Sequence, residues 1–149
     1  MGASALQSNT TGDENVAIGS LAHDANTEGN GNVAIGLRAL TADTLGSRNV
    51  AIGHAALNAQ NFTSATNNFN IAIGYSAGAG ITTAVQNVII GGEAGDAITT
   101  GNANTGIGYL ALGANTTAAA NTAVGAEAAL TNTTGTYNVA LGYRALKLN

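Results

Sequence analysis

The chain has 149 residues, of which 8% are charged and 4% aromatic, with 21 glycines and no proline, cysteine or tryptophan. The missing cysteines exclude a disulfide framework and thiolate metal sites, and a net charge of −4 with four scattered cations leaves no basic face for nucleic acid. A mean hydropathy of +0.15 is too high for intrinsic disorder, while no apolar run approaches the roughly 18 residues of a membrane helix, so membrane insertion is not expected.

One pattern organises the whole sequence as a single repeat domain, 1–149. The opening segment 1–14, with Gly2, Ala5, Leu6, Asn9, Thr10 and Gly12, reads as a partial repeat entered midway, and MGASALQSNTTG lacks the basic end and apolar block of a signal peptide. Full coils then begin at Asn15 (NVAIG), Asn32 (NVAIG), Asn49 (NVAIG), Asn70 (NIAIG), Asn87 (NVIIG), Asn104 (NTGIG), Asn121 (NTAVG) and Asn138 (NVALG). The numbers of successive asparagines differ by 17, except that Asn70 follows Asn49 by 21, which places an insertion at 59–69. Self-similarity at a fixed period is the signature of a solenoid or stacked array. Because the sequence starts and stops within a repeat, with no change of character at either end, it reads as a segment of a longer fibre.

Numbering each coil from its asparagine as position 0, position 4 is always glycine, as at Gly36 and Gly125, and position 7 always alanine, as at Ala39 and Ala128. Position 12 is threonine in every unbroken unit, including Thr44 and Thr133. Within NVAIG the apolar residues alternate, which is the period of a β-strand, and the glycine that follows permits a corner at positive φ. The expectation is an all-β fold, a parallel β-solenoid of 17-residue coils stacked about 4.8 Å apart. One short helical or 3₁₀ turn fits the GxxAL stretch, but the glycines leave too little uninterrupted chain for a helical repeat. In the stack each position becomes a column. The Val and Ile columns are expected to fill the interior, the Ala and Gly columns to let backbones approach, and the Asn columns (Asn32, Asn121) with the Thr columns to pass hydrogen bonds from coil to coil. Such a core is thin, which favours stabilisation by partner chains in a symmetric oligomer.

The recurring NVAIG resembles the head repeat of trimeric autotransporter adhesins, the YadA-like or Hep/Hag repeats. NTAVG followed by TNTTGTYNVALGYRAL resembles repeats of bacteriophage tail-fibre and related surface-fibre proteins. The resemblance covers essentially the whole chain, although the adhesin repeat is usually shorter than the one found here. It implies a left-handed parallel β-roll assembled as a homotrimer, extracellular on a virion tail fibre or a cell surface. Its role would be structural and adhesive, attaching to a host-surface glycan or protein receptor.

Chemistry is sparse. The acidic residues are spread over different positions, and Asp13, Glu14 and Glu28 near one corner read as solvated charges rather than the fixed carboxylate pair of a glycosidase. His23 and His54 occupy positions 8 and 5 and share no column, so no two-histidine metal site is expected. No GxSxG elbow or GxxxxGK[ST] loop occurs. The chain is expected to have no catalytic residues, cofactor or metal. The candidates for receptor or interchain contact are Tyr75, Tyr109 and Tyr143, all at position 5, together with Phe62 and Phe69 in the insertion, where per-repeat loops often carry binding. Two alternative functions are an ice-binding solenoid, weakened because adjacent threonines such as Thr82 and Thr83 point to opposite faces of an extended chain, and the non-catalytic part of a polysaccharide-degrading tailspike.

Overall fold

The computed structural model describes residues 2–148 and contains ten short strands among them. Eight are the position 1–3 segments: β1 (Val16–Ile18), β2 (Val33–Ile35), β4 (Val50–Ile52), β6 (Ile71–Ile73), β7 (Val88–Ile90), β8 (Thr105–Ile107), β9 (Thr122–Val124) and β10 (Val139–Leu141). They form one parallel sheet in the order β1-β2-β4-β6-β7-β8-β9-β10, with each position paired to the same position in the next coil, such as Val33 to Val50 and Ile35 to Ile52. The pair β3 (Gly46–Ser47) and β5 (Thr66–Asn67) lies on the far side of the coil. The chain is a parallel β-solenoid, as the period predicts, and the longer unit that holds the insertion keeps the main sheet in step, with Val50 opposite Ile71.

The strands face the opposite way from the expectation. In every coil the middle residue of the strand, most often alanine, is buried, whereas its Val and Ile neighbours at positions 1 and 3 are half-exposed or exposed. Val16 and Ile18 are 44% and 51% exposed, while Ala34, Ala51 and Ala72 are fully buried. The interior is instead built from position 0 asparagines, position 2 and 7 alanines, and whatever occupies positions 8 and 11. Small residues dominate the inward strand position, and its one large member, Ile89, is accommodated beside Gly95 and Gly106, where an added Cβ would lie 3.1 and 3.4 Å from its Cδ1; the other β-branched strand residues are turned outward. Alternation fixes the period but is silent on which of its two faces is the inner one.

Asparagine takes the place of a large apolar core. Each interior position 0 backbone N–H donates to the side-chain Oδ1 of the asparagine one coil earlier, as Asn32 to Asn15 (2.9 Å), Asn87 to Asn70 (3.0 Å) and Asn121 to Asn104 (3.0 Å). Several of these side chains also donate through Nδ2 across the coil to the position 14 carbonyl, as Asn104 to Ala118 O (2.9 Å) and Asn121 to Gly135 O (2.8 Å). Position 12 adds a second ladder, in which Thr82 Oγ1 donates to Thr99 O and Thr99 Oγ1 to Thr116 O, both at 3.1 Å. A buried group deprived of its partner carries the whole desolvation cost. Asn104→Ala, which orphans the Asn121 N–H, should therefore lower unfolding stability by about 2 kcal/mol, read from the urea midpoint; an unchanged midpoint would remove the ladder from the list of stabilising features.

The GxxAL segment is a left-handed turn and not a helix. Positions 6 and 8 adopt positive φ in each coil, even with large residues, as at Arg38 (58°), Leu40 (53°) and Leu57 (51°). Volume is exchanged between positions 8 and 11 inside the coil. Most coils pair a larger position 8 with a polar position 11, as in Leu40 with Asp43 or Leu112 with Asn115. The coils at Asn70 and Asn87 pair Gly78 with Ile81 and Gly95 with Ile98, and a Cβ on Gly95 would lie 2.8 Å from Ile98 Cδ1.

Candidate functional site

Two surfaces and one polar cluster collect the chemistry-bearing residues. The first surface is the outer face of the eight-stranded sheet, where positions 1 and 3 set two unbroken columns side by side. Interior members such as Ile35, Ile73 and Ile107 are half-buried by their column neighbours, and the last strand is the most open, with Val139 at 72% and Leu141 at 76%. Val, Ile and Leu fill both columns except at Thr105 and Thr122, and neither column carries a charge; exposed apolar patches are characteristic of interaction surfaces in general.

The second surface is the position 5 column just past the glycine corner. Tyr75, Tyr109 and Tyr143 are all exposed on alternate coils, as the sequence places them. Tyr75 stacks on His54 of the preceding coil (centroids 5.3 Å apart, planes 9° apart). Small residues stand between the tyrosines, Gly92 and Ala126, and a Cβ on Gly92 would sit 3.7 Å from the Tyr109 ring. Beside Tyr143, the Arg144 guanidinium lies 4.8 Å from the ring centroid and donates to Glu127 (2.9 Å), which also accepts from Lys147. These two cations hold the Glu127 carboxyl down to about 2.

The insertion does not present both phenylalanines. Phe62 is buried at 8% exposure, its N–H donating to Asp43 Oδ1 (3.1 Å) and its carbonyl accepting from Thr44 Oγ1 (3.0 Å). Phe69 is 45% exposed and carries the Arg48 guanidinium over its ring. Residues 63–65 are the part that bulges into solvent, because Phe62 still follows the coil and Thr66 rejoins it opposite Gly46. Phe62 thus serves as a plug under the loop, leaving Phe69 as the candidate contact.

Beneath the loop lies a polar cluster that sequence reasoning passed over. Asp43 occupies the position 11 column otherwise held by residues such as Asn26 and Asn115, and accepts from Gln60 Nε2 (2.6 Å), Gly46 N (3.1 Å) and Phe62 N. Burial pushes its carboxyl up, with those hydrogen bonds pulling the other way. Gln60 Oε1 in turn accepts from Asn70 Nδ2 (2.8 Å), so the cluster ties the long coil to the asparagine ladder. The available signal was a carboxylate in an asparagine column directly before the one break in period.

His23 is fully buried, with neither ring nitrogen hydrogen-bonded, and desolvation lowers its pKa to about 4. Asp13, Glu14 and Glu28 are exposed, and the described residues contain no group of three side chains able to hold a metal ion and no pocket. No protein-family profile, curated protein or solved structure matches this chain.

Proposed function

We propose that this chain is a structural segment of an extracellular fibre, of the tail-fibre or surface-adhesin kind, in which three copies pack their sheet faces together and present their remaining surface for attachment to a host. The outward Val and Ile columns carry the proposal. A single chain buries a thin core of alanine, asparagine and a few large residues such as Leu40, Ile89 and Leu112, and leaves the strand Val and Ile side chains half-exposed or exposed, so packing these faces between chains would add the apolar burial that one chain lacks. The Tyr column and the Phe69 loop remain as attachment surfaces. An ice-binding role gains less support, because the Thr82 and Thr99 hydroxyls are already engaged by the next coil.

Light scattering is the test. Three times 14.5 kDa is expected. Ile73→Arg, placed mid-face, should give a chain with unchanged circular dichroism and the mass of a monomer. A monomeric parent would end the fibre proposal, and an Ile73→Arg trimer would move the interface elsewhere.

A further inference from the structure

The solenoid repeats one arrangement twice, two coils apart, and completes it only once. Around Tyr143, the Arg144 guanidinium packs on the ring and is held by Glu127, with Lys147 as a second cation. Moving back by two coils gives Tyr109 for Tyr143 and Glu93 for Glu127, but Leu110 in place of Arg144 and Gly113 in place of Lys147. The backbone is the same at both places. Glu127 N donates to Tyr109 O and Glu93 N to Tyr75 O, both at 2.8 Å, while Arg144 N and Leu110 N donate to the carbonyls of Ala126 and Gly92 at 3.0 and 3.1 Å. Leu110 shares the left-handed backbone of Arg144, with φ of 55° and 57°.

The charge around the first copy is the reverse of the second. Asp96 lies close enough to Glu93 for that carboxylate to help raise its pKa, after burial, and the residue matching Asp96 in the second copy is Leu130. Glu93 therefore holds the place that Glu127 has in the second copy, with Asp96 near it, and neither carboxylate has a salt bridge among the described residues. Tyr109 is exposed, and Gly92 sets no side chain of its own against the ring, where a Cβ would lie 3.7 Å away.

We propose that Tyr109, Glu93 and Asp96 form a socket for an arginine side chain of a partner protein, the guanidinium lying on the Tyr109 ring and paired with Glu93 as Arg144 is with Tyr143 and Glu127. The chain itself supplies the filled version, and it is a guanidinium that fills it. A planar cation satisfies both requirements together, stacking through its face and bonding the carboxylate through its edge. Nucleic acid, which also stacks on aromatic columns, is repelled by the two carboxylates. The socket names the chemistry of the attachment partner and so rests on the fibre proposal for its biological setting, but its occupancy can be measured whatever the mass of the assembly.

The experiment titrates the intact protein with N-acetyl-arginine amide, following the Tyr109 ring by NMR, with the lysine counterpart, choline and glucosamine as comparison probes. Saturable binding of the arginine amide, tighter than the other three and weakened by salt, is expected. Glu93→Gln and Tyr109→Ala should each weaken it about tenfold, the loss expected when a charge-assisted contact is removed, and Glu127→Gln should not. Leu110→Arg, which rebuilds the filled arrangement in cis, should abolish it. Absence of binding, or binding indifferent to Glu93→Gln and Leu110→Arg, would overturn the socket. Equal binding of choline or glucosamine would overturn its assignment to arginine in favour of a lipid headgroup or an amino sugar. A trimer that ignores arginine sinks the socket alone; a monomer that binds it sinks the fibre proposal alone.

Discussion

Gly53→Ala should prevent the chain from folding. A Cβ at this position would overlap the Gly74 carbonyl oxygen and lie 2.7 Å from its carbon, both main-chain atoms that cannot step aside. The φ of +128° adds a backbone conformation that L-residues rarely adopt. Neighbouring position 4 glycines make the same approach, Gly36 to Gly53 and Gly74 to Gly91, so relieving one clash means lifting a whole coil off its neighbour. Severe effects of this kind belong to strained backbone positions, and a loss beyond about 4 kcal/mol is expected, which leaves the protein insoluble or without β-signal in circular dichroism. Ala126→Gly, one residue past the Gly125 corner, adds no atom to the stack and serves as the tolerated comparison. A soluble, folded Gly53→Ala protein would show that the coils have slack the backbone distances deny.

This glycine column was legible in the sequence because close backbone approach permits a single residue type, and the same is true of the asparagine period. Facing was not legible. Val and Ile alternate with Ala in either orientation, and only the stacked coil shows that Ala34 and Ala51 point inward. The left-handed turn at positions 6 to 8 left no composition signal either, since Leu40, Arg38 and Ala55 all adopt it where the stacked coils dictate the backbone. Among the site candidates, the tyrosine column was readable from spacing alone. The separation of Phe62 from Phe69 was not, because it depends on where within the insertion the chain leaves the coil. The socket at Tyr109 became visible only once Arg144 was seen lying against Tyr143, which turns a two-coil translation into a comparison of filled and unfilled copies.

Acid should loosen the solenoid around His23. His23 shares position 8 with Leu6 and Leu40 of the flanking coils, lies fully buried and has no partner on either nitrogen, so it folds as the neutral imidazole. Asp24 is the charged neighbour acting on it, and its pull toward protonation is outweighed by burial, leaving a pKa of about 4 against 6.5 for the unfolded chain. The folded state therefore binds this proton less readily than the unfolded one. The stability concerned is fully present above pH 6.5 and is lost as pH falls toward 4, a loss of about 3 kcal/mol when complete. The Glu127 pairs act in a lower window, from 4.5 down to about 2, where the carboxylate gives up Arg144 and Lys147. Asp43, whose carboxyl is raised by burial, changes in the stabilising sense as it takes up a proton and so cannot account for an acid-induced loss. Urea midpoints at pH 7, 6, 5 and 4.5 should accordingly fall steadily in the parent. His23→Leu should raise the midpoint at every pH and flatten its dependence down to 4.5, because leucine already fills this column at Leu40, Leu57 and Leu112 with the same left-handed backbone. In a one-dimensional stack each coil leans only on its neighbours, so hydrogen exchange at pH 5 should accelerate first at the Leu21, Ala22 and His23 amides while the coils beyond Asn87 stay protected. Uniform acceleration along the chain, or a His23→Leu protein as acid-sensitive as its parent, would assign the acid response to some other group.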